Sequence, residues 1–159
     1  MASAALKRTT KSAPAERLIL ERFLPYRLSI LSNRVSRAIA ARYARTFSLT
    51  IPEWRIIAVL GRRPGLTAKE VAEATEMDKV AVSRAVAKLV ATKRVSAEVH
   101  DNDGRAISLT LTGQGETLHA RIAPIALDAE RRLLATLNSS ERRQFDALID
   151  RLLGAAGDL

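Results

Sequence analysis

The sequence predicts a mainly α-helical chain with one small β-hairpin, and three observations carry that prediction. Residues 66–92 contain two short runs of helical periodicity, each opened by a capping residue. Residues 95–112 alternate apolar and polar side chains around a polar turn that contains glycine. Longer helical patterns flank this middle section on both sides.

Residues 1–16 are basic and rich in small residues but lack an apolar core, so we expect a disordered basic arm and no secretory signal. Leu18, Ile19, Leu20, Phe23 and Leu24 then form a short amphipathic piece. A long helix is expected from Tyr26 to about Phe47, with Pro25 suited to its first turn. On a helical wheel Leu28, Leu31, Val35 and Ile39 share a packing side, whereas Arg27, Arg34 and Arg45 occupy another sector. Between them Ser29, Ser32, Asn33 and Ser36 make a stripe of small neutral polar groups. Such a stripe fits either the wall of a polar cavity or a close helix–helix contact.

Thr67 to Glu70 reads T-x-x-E, a capping box in which hydroxyl and carboxylate satisfy backbone N–H groups that a helix start leaves unpaired. Val71, Ala72 and Ala74 give this helix a short apolar face. A brief connection through Thr75, Glu76 and Met77 leads to Asp78, which can cap the next helix, expected at about 79–92. There Val82, Ala85, Val86 and Leu89 cluster on one side, the expected core face. The opposite side carries Val80, Arg84, Ala87, Lys88 and Ala91, with Lys79 and Ser83 at the leading edge. It is cationic and otherwise small, and no acid lies between Asp78 and Glu98.

Two strands follow, from Val95 to His100 and from Ala106 to Thr112, around the turn residues Asp101, Asn102, Asp103 and Gly104. Ile107, Leu109 and Leu111 fall on one face and Ser108, Thr110 and Thr112 on the other. The D-x-D-G string is not followed by an acid at the spacing of a calcium-binding loop, so no metal site is expected. Helix, tight turn, helix and hairpin is the order of a winged helix-turn-helix, whose second helix enters the major groove of DNA. In that setting Arg84 suits a bidentate contact to guanine, and Val80 a thymine methyl. Arg105, beside the turn, is placed to reach a minor groove.

The C-terminal part reads as a long helix from Gly113 to Leu137, interrupted or bent near Pro124. A last helix opens on an N-x-x-E cap from Asn138 to Glu141, with Phe145, Leu148, Ile149, Leu152 and Leu153 as its apolar stripe.

Composition narrows the function classes. The 159 residues carry 26 Lys and Arg against 17 Asp and Glu, a formal charge of +9, as expected of a surface that meets phosphate. There is no cysteine, which excludes disulfides, zinc-thiolate sites and thiol-based redox sensing. No run of about 18 apolar residues suggests a membrane span, so the expected location is the cytoplasm, with no membrane partner. His100 and His119, the two histidines, sit in no motif with a nucleophile or metal-ligand partner, so neither an enzyme, a cofactor nor a bound metal is expected.

The run from about Pro52 to Gly113 resembles the MarR family (multiple antibiotic resistance regulators). The strings that carry the resemblance are IPEWRIIAVL, LTAKEVAEATEMDKVAVSRAVAKLV and DNDGRAISLTLTGQG. Within them the MDK-x-x-VSR-x-V-x-x-L core and a D-x-R wing followed by L-x-L-T-x-x-G occur together. The wing departs from the pattern at Gly104, where members often carry arginine.

The resemblance implies a winged helix-turn-helix core, residues 51–112, flanked by dimerisation helices at 17–50 and 113–159. It implies a homodimer whose termini interlock; a helical lid closing over its own core is the alternative. A two-fold dimer requires an inverted-repeat operator in double-stranded DNA, with half-sites about 10 bp apart or a multiple of that. The DNA-binding set becomes Thr67, Lys69, Lys79, Val80, Ser83, Arg84, Lys88, Asp103 and Arg105. A small phenolic or aromatic carboxylate ligand is also implied, with Arg27, Ser29, Asn33, Ser36 and Trp54 as its binding set and Arg27 facing the carboxylate. The function expected is that of a sequence-specific repressor released from DNA by that ligand. The alternative is a sequence-indifferent, architectural DNA-binding protein with no ligand response.

Overall fold

A computed structural model describes residues 17–99 and 107–157. The chain divides into two compact units, residues 1–33 and 34–159. Of the first unit, the described part is a single 3-10 turn, Leu20–Arg22, and the opening of helix α1, Leu24–Phe47. Leu18, Ile19, Phe23, Leu28 and Leu31 are all exposed there.

In the second unit α1 runs on to Phe47, and the chain turns through Ser48, whose φ of +49° is left-handed. Helix α2, Ile51–Arg62, opens on a capping box from Thr50 to Glu53 with Pro52 in its first turn. Helix α3, Ala68–Thr75, opens on the Thr67–Glu70 box read from the sequence. It closes at Glu76, also left-handed at φ +49°, and after a short turn Asp78 leads into α4, Lys79–Ala91. After α4, Lys93 at φ +55° is a third non-glycine residue in the left-handed region among the described residues. Strand β1, Val95–Val99, pairs antiparallel with β2, Ile107–Leu111, in the register Val95↔Leu111 to Val99↔Ile107.

The hairpin has a third edge that the sequence did not announce. Leu66 bridges Leu109, with Leu109 N–H donating to the Leu66 carbonyl and Gly65 N–H to the Leu109 carbonyl, both at 2.9 Å. The root of β2 is thus hydrogen-bonded on both sides. Helix α5, Gly113–Leu134, is continuous through Pro124, which corrects the expected interruption. Pro124 and Ala120, whose carbonyl loses its usual partner to the proline, are both exposed, so water can satisfy that carbonyl. Helix α6, Ser139–Ala156, opens on the Asn138–Glu141 capping box and buries no residue.

The core sits under the middle of the second unit. Ile56, Ile57 and Leu60 of α2, Val71 of α3, Val82 and Leu89 of α4, Val95, Leu109 and Ile122 are almost fully buried, as is Tyr43. Helix α2 packs against α3, α4, α5 and β2, and this fixes the height of α4 over the core. The expected hydrophobic face of β2 divides: Leu109 and Leu111 are buried, whereas Ile107 is 50% exposed because it lies beyond the helices that cover the root.

Candidate nucleic-acid interface

The start of α4 is built by Asp78. Its carboxylate accepts from the N–H groups of Val80 at 2.9 Å and Ala81 at 3.1 Å, satisfying donors the helix leaves unpaired. The core face of α4 is as expected, with Val82, Ala85 and Leu89 buried and Val86 half-buried. That fixes the rotation of the helix, so Lys79, Val80, Ser83, Arg84 and Ala87 all face outward together. Val80 is 55% exposed. Among the described residues Lys79 and Arg84 enter no ion pair.

The other members of the expected DNA-binding set are distributed differently. Thr67 is committed to its capping box, with its hydroxyl accepting from the Glu70 N–H at 3.2 Å and donating to the Glu70 carboxylate at 2.8 Å. The backbone and hydroxyl of Thr67 hold that carboxylate below the usual glutamate range. Lys69 is exposed and lies 3.8 Å from Glu73 one turn on, a weak surface pair. The Lys88 side chain is half-exposed, and its ammonium lies 2.8 Å from the carboxylate of Glu53 on α2. Asp103 and Arg105, with the turn between the strands, lie outside the described residues.

Glu53 is the residue that sequence reasoning missed. It is 3% exposed, and its two oxygens do different work. One accepts the Thr50 N–H at 2.9 Å and closes the start of α2; the other accepts Lys88. Burial alone raises its pKa, but the Lys88 ammonium and the Thr50 N–H outweigh burial and leave it lowered from 4.5. A lowered native pKa means the carboxylate's contribution to stability is whole above the ordinary glutamate value and is lost as pH falls through the native one. We therefore expect the melting temperature of the native chain to fall below about pH 5 more steeply than that of a Glu53→Gln variant. Parallel pH profiles would remove this role from Glu53.

A second joint ties α4, the hairpin and α5 together. Thr112 donates its hydroxyl to the Lys93 carbonyl at 2.6 Å and its N–H to the Arg94 carbonyl at 3.1 Å, and the same hydroxyl caps α5 by accepting from Gly115. Arg94 donates to the Phe47 carbonyl at 2.8 Å, and the Arg121 guanidinium lies 4.6 Å over the Phe47 ring. Both contacts secure the end of α1 to this joint.

The expected ligand-binding residues fall on both units. In the first, Asn33 donates to Ser29 at 3.4 Å, a contact within one helix face, and Arg27 is exposed. In the second, Ser36 accepts from Arg55 at 3.3 Å. Trp54 is half-buried between two rings, stacked on His119 with centroids 6.0 Å apart and tilted against Tyr43 at the same distance. Burial pushes the Tyr43 hydroxyl up to about 12, a rise that Arg55 partly opposes and Glu53 reinforces. Gly61 leaves the space His119 occupies, because a Cβ there would meet the imidazole at 2.8 Å. His119 thus serves as a packing ring, in keeping with its isolation in the sequence.

Among the described residues no group of acidic and histidine side chains is arranged to hold a metal ion, and no helix is long and apolar enough to cross a membrane.

A model of the MarR family matches residues 47–106, from the end of α1 through β1 and up to the start of β2. The HTH-type transcriptional repressor Rv2887 of Mycobacterium tuberculosis is 28% identical over 131 residues, covering 82% of this chain and 91% of the relative. The solved structure of the MarR-family protein Rv2887 in complex with salicylic acid superposes with a TM-score of 0.66 at 26% identity, covering 82% and 96% of the two chains. A MarR/EmrR family transcriptional regulator from Acinetobacter sp. ADP1 superposes with a TM-score of 0.81 at 26% identity, covering 89% of this chain and all of the other. Residues 47–106 thus match the MarR family, and the chain has the winged-helix fold of MarR-family transcriptional regulators.

Proposed function

We propose that this chain is a MarR-family transcriptional regulator, a homodimeric repressor that binds an inverted-repeat operator and is released from it by a small aromatic carboxylate. The observation that carries the DNA half is the outer face of α4. It presents Lys79, Val80, Ser83, Arg84 and Ala87 together, cationic at its edges and small enough at its centre to approach base edges. The homodimer is supported by apolar side chains that the fold leaves uncovered, including Phe145, Leu148, Leu152 and Leu153 along α6. Ligand release is supported by the salicylic acid complex of Rv2887. In this chain Ser36 and Trp54 remain the candidates in the second unit, and Arg27, Ser29 and Asn33 those in the first. A ligand that favours one spacing of the two recognition helices weakens operator binding, and the operator weakens ligand binding by the same factor.

The test is equilibrium binding to the DNA upstream of the protein's own gene against a shuffled duplex at near-physiological salt, with and without salicylate. We expect a preference of about 10³-fold or more for the upstream DNA. Salicylate is expected to lower it by about 5- to 150-fold. Equal binding to both duplexes, if extended to a genome-wide selection of fragments, would mark a sequence-indifferent binder instead. Unchanged operator affinity in salicylate would remove the ligand half.

A further inference from the structure

The sequence places Lys88 among the cations of the recognition helix, one turn after Arg84 and on the same outward side. The geometry points to a different role: Glu53 withholds Lys88 from DNA and uses it to position α4. This inference rests on the proposed entry of α4 into a DNA groove.

Three observations support it. The Lys88 ammonium is 2.8 Å from a Glu53 oxygen, a charge-assisted contact, whereas Lys79 and Arg84 have no acidic partner among the described residues. Glu53 is 3% exposed, and its second oxygen holds the Thr50 N–H at 2.9 Å. The carboxylate therefore cannot follow Lys88 outward without opening the start of α2. For Lys88 to reach a phosphate it must leave a buried carboxylate unpaired, and that penalty exceeds the gain from one solvent-exposed phosphate contact.

The bridge also joins two helices that are distant in sequence. Thr50 and Glu53 stand at the α1–α2 corner, and Lys88 lies in the last turn of α4. Hydrophobic packing of Val82, Ala85 and Leu89 sets which face of α4 is buried. The 2.8 Å ion pair to a buried carboxylate adds a polar tie between the α1–α2 corner and the last turn of α4, which supports the placement of the leading edge at Lys79, Ser83 and Arg84. Lys88 is in this sense a positioning residue, and its charge is already matched inside the protein.

The salt dependence of binding distinguishes a positioning residue from a phosphate contact, because each neutralised phosphate adds about 0.9 to the slope of log K against log salt. We would measure that slope on a random duplex and on the selected operator for the native protein, Lys88→Met, Lys88→Arg and Glu53→Gln, each below its own melting transition. The expected result is an unchanged slope for Lys88→Met together with a loss of about tenfold in operator preference (about 1.4 kcal/mol). Lys88→Arg should restore the preference. Glu53→Gln, which frees Lys88, should steepen the slope on random DNA by up to about 0.9 per protomer. A slope for Lys88→Met that falls by about 0.9 per protomer would make Lys88 an ordinary phosphate contact and overturn the inference. So would an operator preference untouched by Lys88→Met. Failure of the native protein to bind either duplex would instead sink the DNA-binding role of α4, a result recognisable before any variant is made.

Discussion

Alanine in place of Arg84 should reduce the preference for operator over random duplex by about 30-fold to 10⁴-fold while leaving the fold intact. The range follows from about 1–3 kcal/mol for each bidentate arginine–guanine contact, counted once for each protomer of the proposed two-fold dimer. Arg84 is exposed, is rotated outward by the buried Val82, Ala85 and Leu89, and enters no ion pair among the described residues. Removing it therefore costs the protein no internal contact, and the melting temperature should move little. Competition binding with operator and shuffled duplexes reads the effect directly. If discrimination survives in Arg84→Ala, base reading lies elsewhere on α4 or in the wing, and Ser83 and Lys79 become the next residues to replace.

The second large effect concerns the fold. Gly115, in the first turn of α5, has no room for a side chain, because a Cβ would fall on the Arg94 carbonyl oxygen, far inside van der Waals contact. That oxygen belongs to backbone and is held by the Thr112 N–H, so it cannot rotate away as a side chain would. Gly115→Ala must therefore push α5 off the α4–β1 joint. Overpacking of this kind costs about 3 kcal/mol. In a chain of this size such a loss lowers the melting temperature by about 6–12 °C. Gly113 is the internal control: nothing lies within 4 Å of its Cβ position, so Gly113→Ala should be neutral or slightly stabilising. Thermal melts of the two variants side by side decide the matter, and equal midpoints would show that the joint yields.

Much of this fold is legible in the sequence because its signals are local. Thr67 with Glu70, Asp78 with its following N–H groups, and Asn138 with Glu141 are contacts over two or three residues, and each marks a helix start where the structure has one. The buried face of α4 follows from spacing alone. What the sequence hides is partnership between distant elements. Thr50 and Glu53 repeat the T-x-x-E pattern and so announce a helix start, yet nothing local pairs Glu53 with Lys88. Likewise a single bridging residue, Leu66, leaves no alternation to read. Pro124 is read as an interruption or a bend, yet α5 is uninterrupted there, with Ala120 and Pro124 both exposed so that water can replace the lost hydrogen bond.

The three left-handed turns that carry a side chain among the described residues have a consequence for how far this protein stands from its most durable form. Ser48, Glu76 and Lys93 each reverse the chain at the end of a helix in a backbone conformation that side chains resist. The cost of such residues is about 1 kcal/mol each, and glycine would recover part of it. None of the three belongs to the outward set on α4. The molecule therefore carries an untapped reserve of heat resistance in its corners, open to engineering or to selection without altering the residues proposed to read DNA.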